Sequence, residues 1–157
     1  MTAKIISWDD ANIEELSDLY LKYPYPPYWG SPIVNENLQE YRFKKVCITA
    51  AENRESMIVA CMDGKIYAAA LLARVNHLSD KFQVEVASIE NEAFVTDGSV
   101  KAYKAQYELI RTLRELAVKR GFIFLSASIA SPAFQWLRVL EENGFRYADG
   151  FLHVVSS

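Results

Sequence analysis

The sequence predicts one α/β domain of the α+β kind, with a mixed, mostly antiparallel central sheet of about six to seven strands flanked by about four helices. Three observations predict this fold class. The chain has 157 residues, which is the size of one ordinary domain. Its residues are 51% hydrophobic and 24% charged, as in globular proteins. Apolar residues alternate in the middle of the chain and recur at helical spacing on either side. Residues 1–157 are therefore treated as a single domain.

The charge composition argues against a protein that binds nucleic acid. The net charge is -3 at pH 7, whereas phosphate neutralisation requires clustered lysines and arginines. Cys47 and Cys61 lack the CxxC spacing and lie among apolar residues, so we expect free thiols. The first residues do not resemble a signal peptide, and no apolar run is long enough to span a bilayer. We expect a cytoplasmic protein with neither a nucleic-acid nor a membrane partner.

The first elements are predicted to be a short strand and a helix. Lys4–Ile6 suits a strand, and Asp9 or Asp10 can accept a hydrogen bond from the free amides of the following helix. Apolar side chains then recur at helical spacing, and they are Ile13, Leu16, Tyr20 and Tyr23. The helix is expected to end before Pro24, because proline disfavours helical geometry in the residue before it.

An aromatic, proline-rich loop and a second helix are predicted next. Residues 23–32 contain too many prolines for a helix or a central strand. From Asn35 to about Lys45 the pattern favours a helix with Leu38 and Tyr41 on one face. Residues 46–51 suit a helix or a strand equally well.

A three-stranded meander is predicted in the middle of the chain. The apolar run Met57–Met62 ends at Asp63-Gly64, a strong hairpin signal, and Lys65–Val75 returns as a long strand. The polar residues Asn76–Asp80 predict a turn. Alternation in Phe82–Val95 predicts a third antiparallel strand.

The longest helix is predicted after Asp97-Gly98-Ser99. Gly121 is expected to end it, with Lys119 and Arg120 near the negative end of the helix dipole. The apolar stripe of this helix consists of Leu109, Ile110, Leu113, Leu116 and Ala117.

A strand, a helix and a final strand are predicted to complete the domain. Phe122–Ala130 suits a strand, and Ser131 can cap a helix whose first residue is Pro132. Asn143-Gly144 is expected to end this helix, and residues from Phe145 onward predict a last strand around Ala148-Asp149-Gly150.

This order of elements resembles the GNAT superfamily of N-acetyltransferases over nearly the whole chain. The most recognisable segments are the hairpin from Met57 to Ala69, Glu92–Val95, Glu108–Phe122 and Leu140–Phe145. The resemblance implies an acyl-CoA-dependent N-acyltransferase that uses acetyl-CoA, or another acyl-CoA, to acylate an amine of a small molecule or protein. In that family the third and fourth core strands splay, the pantetheine arm lies between them, and the pyrophosphate binds amides at the start of the long helix.

The resemblance also implies a set of residues that contact the thioester cofactor. They are Phe94, Val95, Lys101, Ala102, Tyr103, Lys104, Ala105, Gln106, Ser131 and Phe134. The family pattern at the helix start is Arg or Gln, two residues, Gly, one residue, then Gly or Ala. Two alignments are open, and they place on these positions either Lys101, Lys104 and Gln106 or Val100, Tyr103 and Ala105. Neither alignment supplies the glycine that lets phosphate oxygens approach the backbone. Lys101 and Lys104 either hold phosphates through their side chains or form a solvated helix end.

Two chemical roles can be assigned by the same resemblance. Glu90 and Glu92 lie two apart near a strand end, so either is a candidate general base; the alternative is a pair of surface carboxylates. The tyrosine that often protonates the leaving thiolate corresponds to Leu140, which has no hydroxyl. Tyr147 and Tyr103 are the candidate substitutes.

Two further interpretations stay open. The resemblance places the aromatic residues 23–29 where relatives form the acceptor side of the cleft, and their rings either stack on the acceptor or cover the sheet. We expect no metal site, because His77 and His153 lack partners at ligand spacing. The alternative function is a GNAT-like domain without transferase activity that binds a ligand or protein, for example as a homodimer through a strand edge.

Overall fold

The computed structural model describes residues 2–22, 36–97, 99–128, 133–148 and 151–155. The strands are β1 (Lys4–Ser7), β2 (Met57–Met62), β3 (Lys65–Arg74), β4 (Val86–Thr96), β5 (Phe124–Ser128), β6 (Arg146–Ala148) and β7 (Phe151–Val155). The helices are α1 (Ile13–Lys22), α2 (Glu36–Glu52), α3 (Asn76–Phe82), α4 (Val100–Lys119) and α5 (Ala133–Glu142), with a 3-10 turn at Trp8–Asp10.

The strands form one mixed sheet in the order β1-β2-β3-β4-β5-β7-β6. β4 and β5 are parallel, and the other neighbouring strands are antiparallel. The predicted fold class is confirmed, with seven strands in the described part of the chain. The same residues contain five α-helices rather than about four, because α3 was not expected.

The sheet is covered on both faces, which creates two hydrophobic cores. One core contains α4 and α5, and the other contains α1 and α2. Strand β3 contributes to both, as its alternation requires: Ala68, Ala70 and Leu72 belong to the first core, and Ala69 and Leu71 to the second. None of the helices in the described ranges is long and apolar enough to cross a membrane.

The start of α1 differs from the prediction. The helix begins at Ile13, and Asn12 Oδ1 accepts the Glu15 amide at 3.0 Å. Asn12 is therefore the capping residue, and the predicted caps Asp9 and Asp10 lie in the 3-10 turn instead. Ile13 is 52% exposed, so it lies outside the buried face of α1, whereas Leu16 and Tyr20 are fully buried.

Helix α2 includes the segment for which the sequence suited a helix or a strand equally well. Residues 46–51 are helical, and Val46 and Ala50 are buried in the core on this side of the sheet. Tyr41 is exposed, so it does not belong to the buried face of α2. The side chain of Leu38 and the predicted aromatic loop at residues 23–32 lie outside the described residues.

The β2–β3 hairpin is confirmed. Asp63 and Gly64 have φ angles of 54° and 74°, the positive values that a two-residue type I′ turn requires. The predicted turn at Asn76–Asp80 is instead part of helix α3. Ser79 explains this difference, because its buried hydroxyl accepts the Val86 amide at 2.9 Å and donates to the Val86 carbonyl at 3.2 Å. The helix is thereby joined to the start of β4.

The third meander strand starts later than predicted. β4 begins at Val86, whereas Phe82 ends α3 with its side chain 57% exposed. Gln83 follows in the left-handed region, with φ 57°, and reverses the chain direction between the two elements. The antiparallel pairing of β3 with β4 is as predicted.

The C-terminal half agrees with the prediction except at its end. α4 buries Leu109, Ile110, Leu113 and Ala117 completely, and Gly121 follows it with φ 82°. The single final strand is wrong, because residues from 146 onward form two antiparallel strands, β6 and β7. The intervening Asp149-Gly150 is a hairpin signal of the same kind as Asp63-Gly64. The predicted cap Ser131 and Pro132 lie outside the described residues.

Candidate functional site

An opening in the sheet lies between β4 and β5. The two strands pair from Val86 with Phe124 to Ile89 with Ala127. β4 then continues to Thr96, while β5 continues only to Ser128, and no further pairing joins them in the described ranges. In the described residues the pairing of β4 with β5 therefore ends at Ile89 and Ala127, and the space beyond this pair is called the opening.

A large bulge in β4 borders this opening. Glu90 pairs with Leu71 of β3, and Val95 pairs with Ala69. Between these pairs β3 contributes Ala70 alone, whereas β4 contributes the four residues 91–94 (95 - 90 - 1 = 4). The extra residues interrupt the β3–β4 ladder.

The two candidate base residues lie at the edge of the bulge and within it. Glu90 is the last paired residue before it, and Glu92 lies inside it, as does Phe94. The expectation that Glu90 and Glu92 share one face relies on regular alternation, which a bulge interrupts. The backbone therefore brings both to the opening, while the side chains of residues 90–95 lie outside the description.

The first turn of α4 follows the bulge directly. Ser99 caps the helix: its hydroxyl oxygen accepts the Ala102 amide at 3.1 Å, and its carbonyl accepts the Tyr103 amide at 2.9 Å. Across the described chain, no acceptor binds the amides of Val100 and Lys101. These two donors point out of the positive end of the helix dipole, which is an arrangement suited to an anion.

Two ion pairs join the β2–β3 hairpin to this turn. Lys101 Nζ lies 3.3 Å from Asp63 Oδ2, and Lys65 Nζ lies 3.9 Å from Asp97 Oδ2. Asp97 also accepts the Ser99 amide through Oδ1 at 2.9 Å, and its side chain is 10% exposed. Reasoning from sequence missed Asp63, which lies 38 positions from Lys101.

Three of the predicted cofactor residues are core residues. Ala102, Ala105 and Gln106 are at most 1% exposed. The Gln106 side-chain amide donates to Thr96 Oγ1 at 2.8 Å, so it fastens α4 to the end of β4. Since the helix also uses their backbone amides, these residues shape the turn without presenting donors to a ligand. Lys104 is exposed.

Tyr103 is directed toward α5. Its hydroxyl donates to Glu142 Oε2, and Arg138 Nε lies 3.1 Å from Glu142 Oε1. Partial burial and the neighbouring carboxylate raise the pKa of Tyr103, and the bond from Tyr103 lowers the pKa of Glu142. Glu142 ends α5, about 14 Å along the helix from Ala133. Tyr103 is thus hydrogen-bonded at the C-terminal end of α5, away from the N-terminal end of this helix, which follows β5.

The position of the expected thiolate acid is occupied by a core residue. Leu140 is fully buried, and its carbonyl accepts the Phe145 amide at 3.0 Å. Of the other predicted residues, Tyr147 lies in β6 opposite Leu152, and Phe134 lies in the first turn of α5. Their side chains are outside the description, as is Ser131.

A groove of about 350 Å³ lies beside this part of α4. It is lined by Thr2, Ala3, Tyr103, Lys104, Tyr107, Glu108 and Glu142. Glu108 is paired with Arg111 at 2.6 Å, and Glu142 with Arg138, so both carboxylates in the groove are neutralised. The groove therefore has aromatic walls and little net charge.

Comparison with solved structures identifies the fold. No protein-family model matches the sequence, and neither does any curated protein. An N-acetyltransferase from Staphylococcus aureus superposes with a TM-score of 0.65 at 15% identity, over 100% of both chains. The PaiA N-acetyltransferase from Thermoplasma acidophilum, in complex with coenzyme A, superposes with a TM-score of 0.63 at 13% identity, over 99% of both chains.

A third structure contains the acylated cofactor. YncA from Salmonella typhimurium, with its cofactor acetyl-CoA, superposes with a TM-score of 0.64 at 13% identity, over 100% of this chain and 95% of that chain. The chain therefore has a GNAT-superfamily fold, the fold of N-acetyltransferases.

Proposed function

We propose that this chain is an acyl-CoA-dependent N-acyltransferase that transfers an acetyl or similar acyl group to an amine of a small molecule or protein. One observation carries the proposal: in the described residues the pairing of β4 with β5 ends at Ile89, beside a bulge and directly before a helix with two unused amides. The whole-chain similarity to structures that contain acetyl-CoA or coenzyme A supports it.

The residues at the α4 turn fit a phosphate group. The amides of Val100 and Lys101 supply two donors at the positive end of a helix, and the exposed Lys101 and Lys104 supply cations. The absent glycine limits how closely a phosphate approaches, so contacts at the first helical residues replace contacts deeper in the turn. Phe94 and Val95 would contact the thioester arm from the bulge side.

The chemistry requires a base for the amine and a proton for the sulfur. Acyl-CoA would supply the activated acyl group. Glu92 or Glu90 takes a proton from the attacking amine, since the backbone brings both to the opening. Leu140 offers no hydroxyl and Tyr103 is bonded to Glu142, so Tyr147 is the remaining candidate for protonating the thiolate.

Binding and turnover test the proposal separately. Titration calorimetry with acetyl-CoA and CoA at millimolar concentration should give heat of binding, and both ligands should raise the melting temperature. A panel of amines should yield N-acetylated product, with Glu92→Gln and Glu90→Gln as matched variants. Absence of both heat and thermal stabilisation would exclude the proposed donor.

A second function is favoured by the replacement of the expected tyrosine with the buried Leu140. In this alternative the domain binds a ligand or a protein without acyl transfer. A homodimer would form through an edge strand, and β1 and β6 are the edges of the sheet. Acetylation of any amine in the panel would contradict this alternative, and a concentration-dependent mass in sedimentation would support its dimeric form.

A further inference from the structure

We propose that Asp63 and Asp97 make this site select its donor by the acyl-pantetheine arm rather than by the phosphates of CoA. The inference rests on the proposed function and concerns which part of the donor is recognised. Both carboxylates lie at the first turn of α4, where the diphosphate of an acyl-CoA would bind.

Two of the three lysines near this turn lie next to a carboxylate, and the third, Lys104, is exposed. Lys101 Nζ lies 3.3 Å from Asp63 Oδ2, and Lys65 Nζ lies 3.9 Å from Asp97 Oδ2. The two aspartates thus offset the charges of Lys65 and Lys101, which leaves Lys104 as the remaining cation for a phosphate. A phosphate that binds Lys101 must also compete with Asp63.

Asp97 opposes a phosphate more strongly because it is less exposed. Its side chain is 10% exposed, against 43% for Asp63, and less solvent therefore screens its charge. Its Oδ1 accepts the Ser99 amide at 2.9 Å, just ahead of the unused amides of Val100 and Lys101. The carboxylate thus lies next to the position that the helix dipole offers to an anion, and it repels an anion placed there.

A thioester without phosphates avoids this repulsion. The acyl-pantetheine arm would bind in the opening and along the bulge, where neither aspartate takes part in the described contacts. S-acetylpantetheine carries the same thioester arm and no phosphate. We expect acetyl-CoA to bind no more than about tenfold more tightly than S-acetylpantetheine, because attraction to the amides and repulsion from the carboxylates nearly cancel.

The test uses two isosteric substitutions in one variant, Asp63→Asn with Asp97→Asn. Asparagine is favoured at the positive φ of residue 63, and at residue 97 it still accepts the Ser99 amide, so both local structures are kept. Asp80→Asn is the matched control. Asp80 lies on α3, away from this turn, and pairs with Arg74 at the end of β3.

Calorimetry with both thioesters then gives the result. We expect the double variant to bind acetyl-CoA about tenfold or more tightly than the unmodified protein, with S-acetylpantetheine binding changed less than about twofold. Asp80→Asn should change neither affinity.

Two outcomes overturn the inference in distinguishable ways. If both thioesters bind but the double variant gains no affinity for acetyl-CoA, the aspartates do not set selectivity, and the proposed acyltransferase stands. If neither thioester binds the unmodified protein or any variant, the proposed function fails and the inference fails with it.

Discussion

Substituting Val100 by proline would remove one amide donor from the proposed phosphate site while leaving the helix intact. Val100 is the first residue of α4, its side chain is 75% exposed, and its amide has no acceptor in the described structure. Proline is favoured at this helical position because the missing amide hydrogen is not needed there. Ser99 has φ -73° and ψ 169°, an extended geometry that a residue before proline readily adopts.

The expected loss follows from the hydrogen bond that proline cannot donate. A hydrogen bond to a charged group contributes about 1.5–3 kcal/mol, but the phosphates together are expected to add no more than about tenfold, so Val100→Pro should weaken acetyl-CoA binding by up to about tenfold. S-acetylpantetheine, which lacks phosphates, should bind unchanged. The free energy of unfolding should not fall, because proline also restricts the unfolded chain by about 0.4–1 kcal/mol.

Val100→Ala is the matched control because it shortens the side chain and keeps the amide. Calorimetry should find acetyl-CoA binding within about twofold of the unmodified protein for this variant, since no donor is lost. Equal acetyl-CoA affinity in Val100→Pro and Val100→Ala, with both variants folded by thermal melting, would show that the phosphates do not bind this helix end.

Three further substitutions test the structure around the site. Leu140→Ala should lower the free energy of unfolding by about 2–5 kcal/mol in denaturant titrations, because Leu140 is fully buried, whereas Ile123→Ala, at 40% exposure, should cost less than about 1 kcal/mol. Asn12→Ala should cost about 1 kcal/mol through the lost α1 cap, and an equal cost for Asp9→Ala would contradict this assignment. Glu142 has a lowered pKa, so the stability it contributes is present above its ordinary pKa of 4.5 and is lost as pH falls through the folded value. Tyr103→Phe removes the main cause of that lowering, and thermal melts between pH 3 and 5 should become less dependent on pH; an unchanged profile would refute the role of Tyr103.

The fold was predictable where local patterns and tertiary packing agree. Asp63-Gly64 adopts the positive φ angles that its hairpin requires, and the apolar stripe of α4 is buried as its spacing predicts. Helix α3 was missed because its polar residues suggest a turn, while the decisive contact is the bond of Ser79 to Val86. Such a contact depends on burial and leaves no periodic signal.

The sequence predicted where the candidate site lies in the fold but not its detailed geometry. The order of elements indicates that the end of β4 and the start of α4 lie together, and Glu90 and Glu92 lie in the part of β4 beyond its pairing with β5. The bulge at residues 91–94 was not foreseen, since alternation alone suggests a regular strand. The ion pairs of Asp63 and Asp97 link separate elements, so the sequence offers no spacing from which to infer them.

The position of β7 makes the end of the described chain part of the interior of the sheet. β7 is the last strand along the described chain, yet it lies inside the sheet and supplies the second neighbour of β5. Without residues 151–155, one side of β5 lacks its backbone partner. Deletion of these five residues should therefore lower the free energy of unfolding in denaturant titrations, even though none of them contacts the α4 turn among the described contacts.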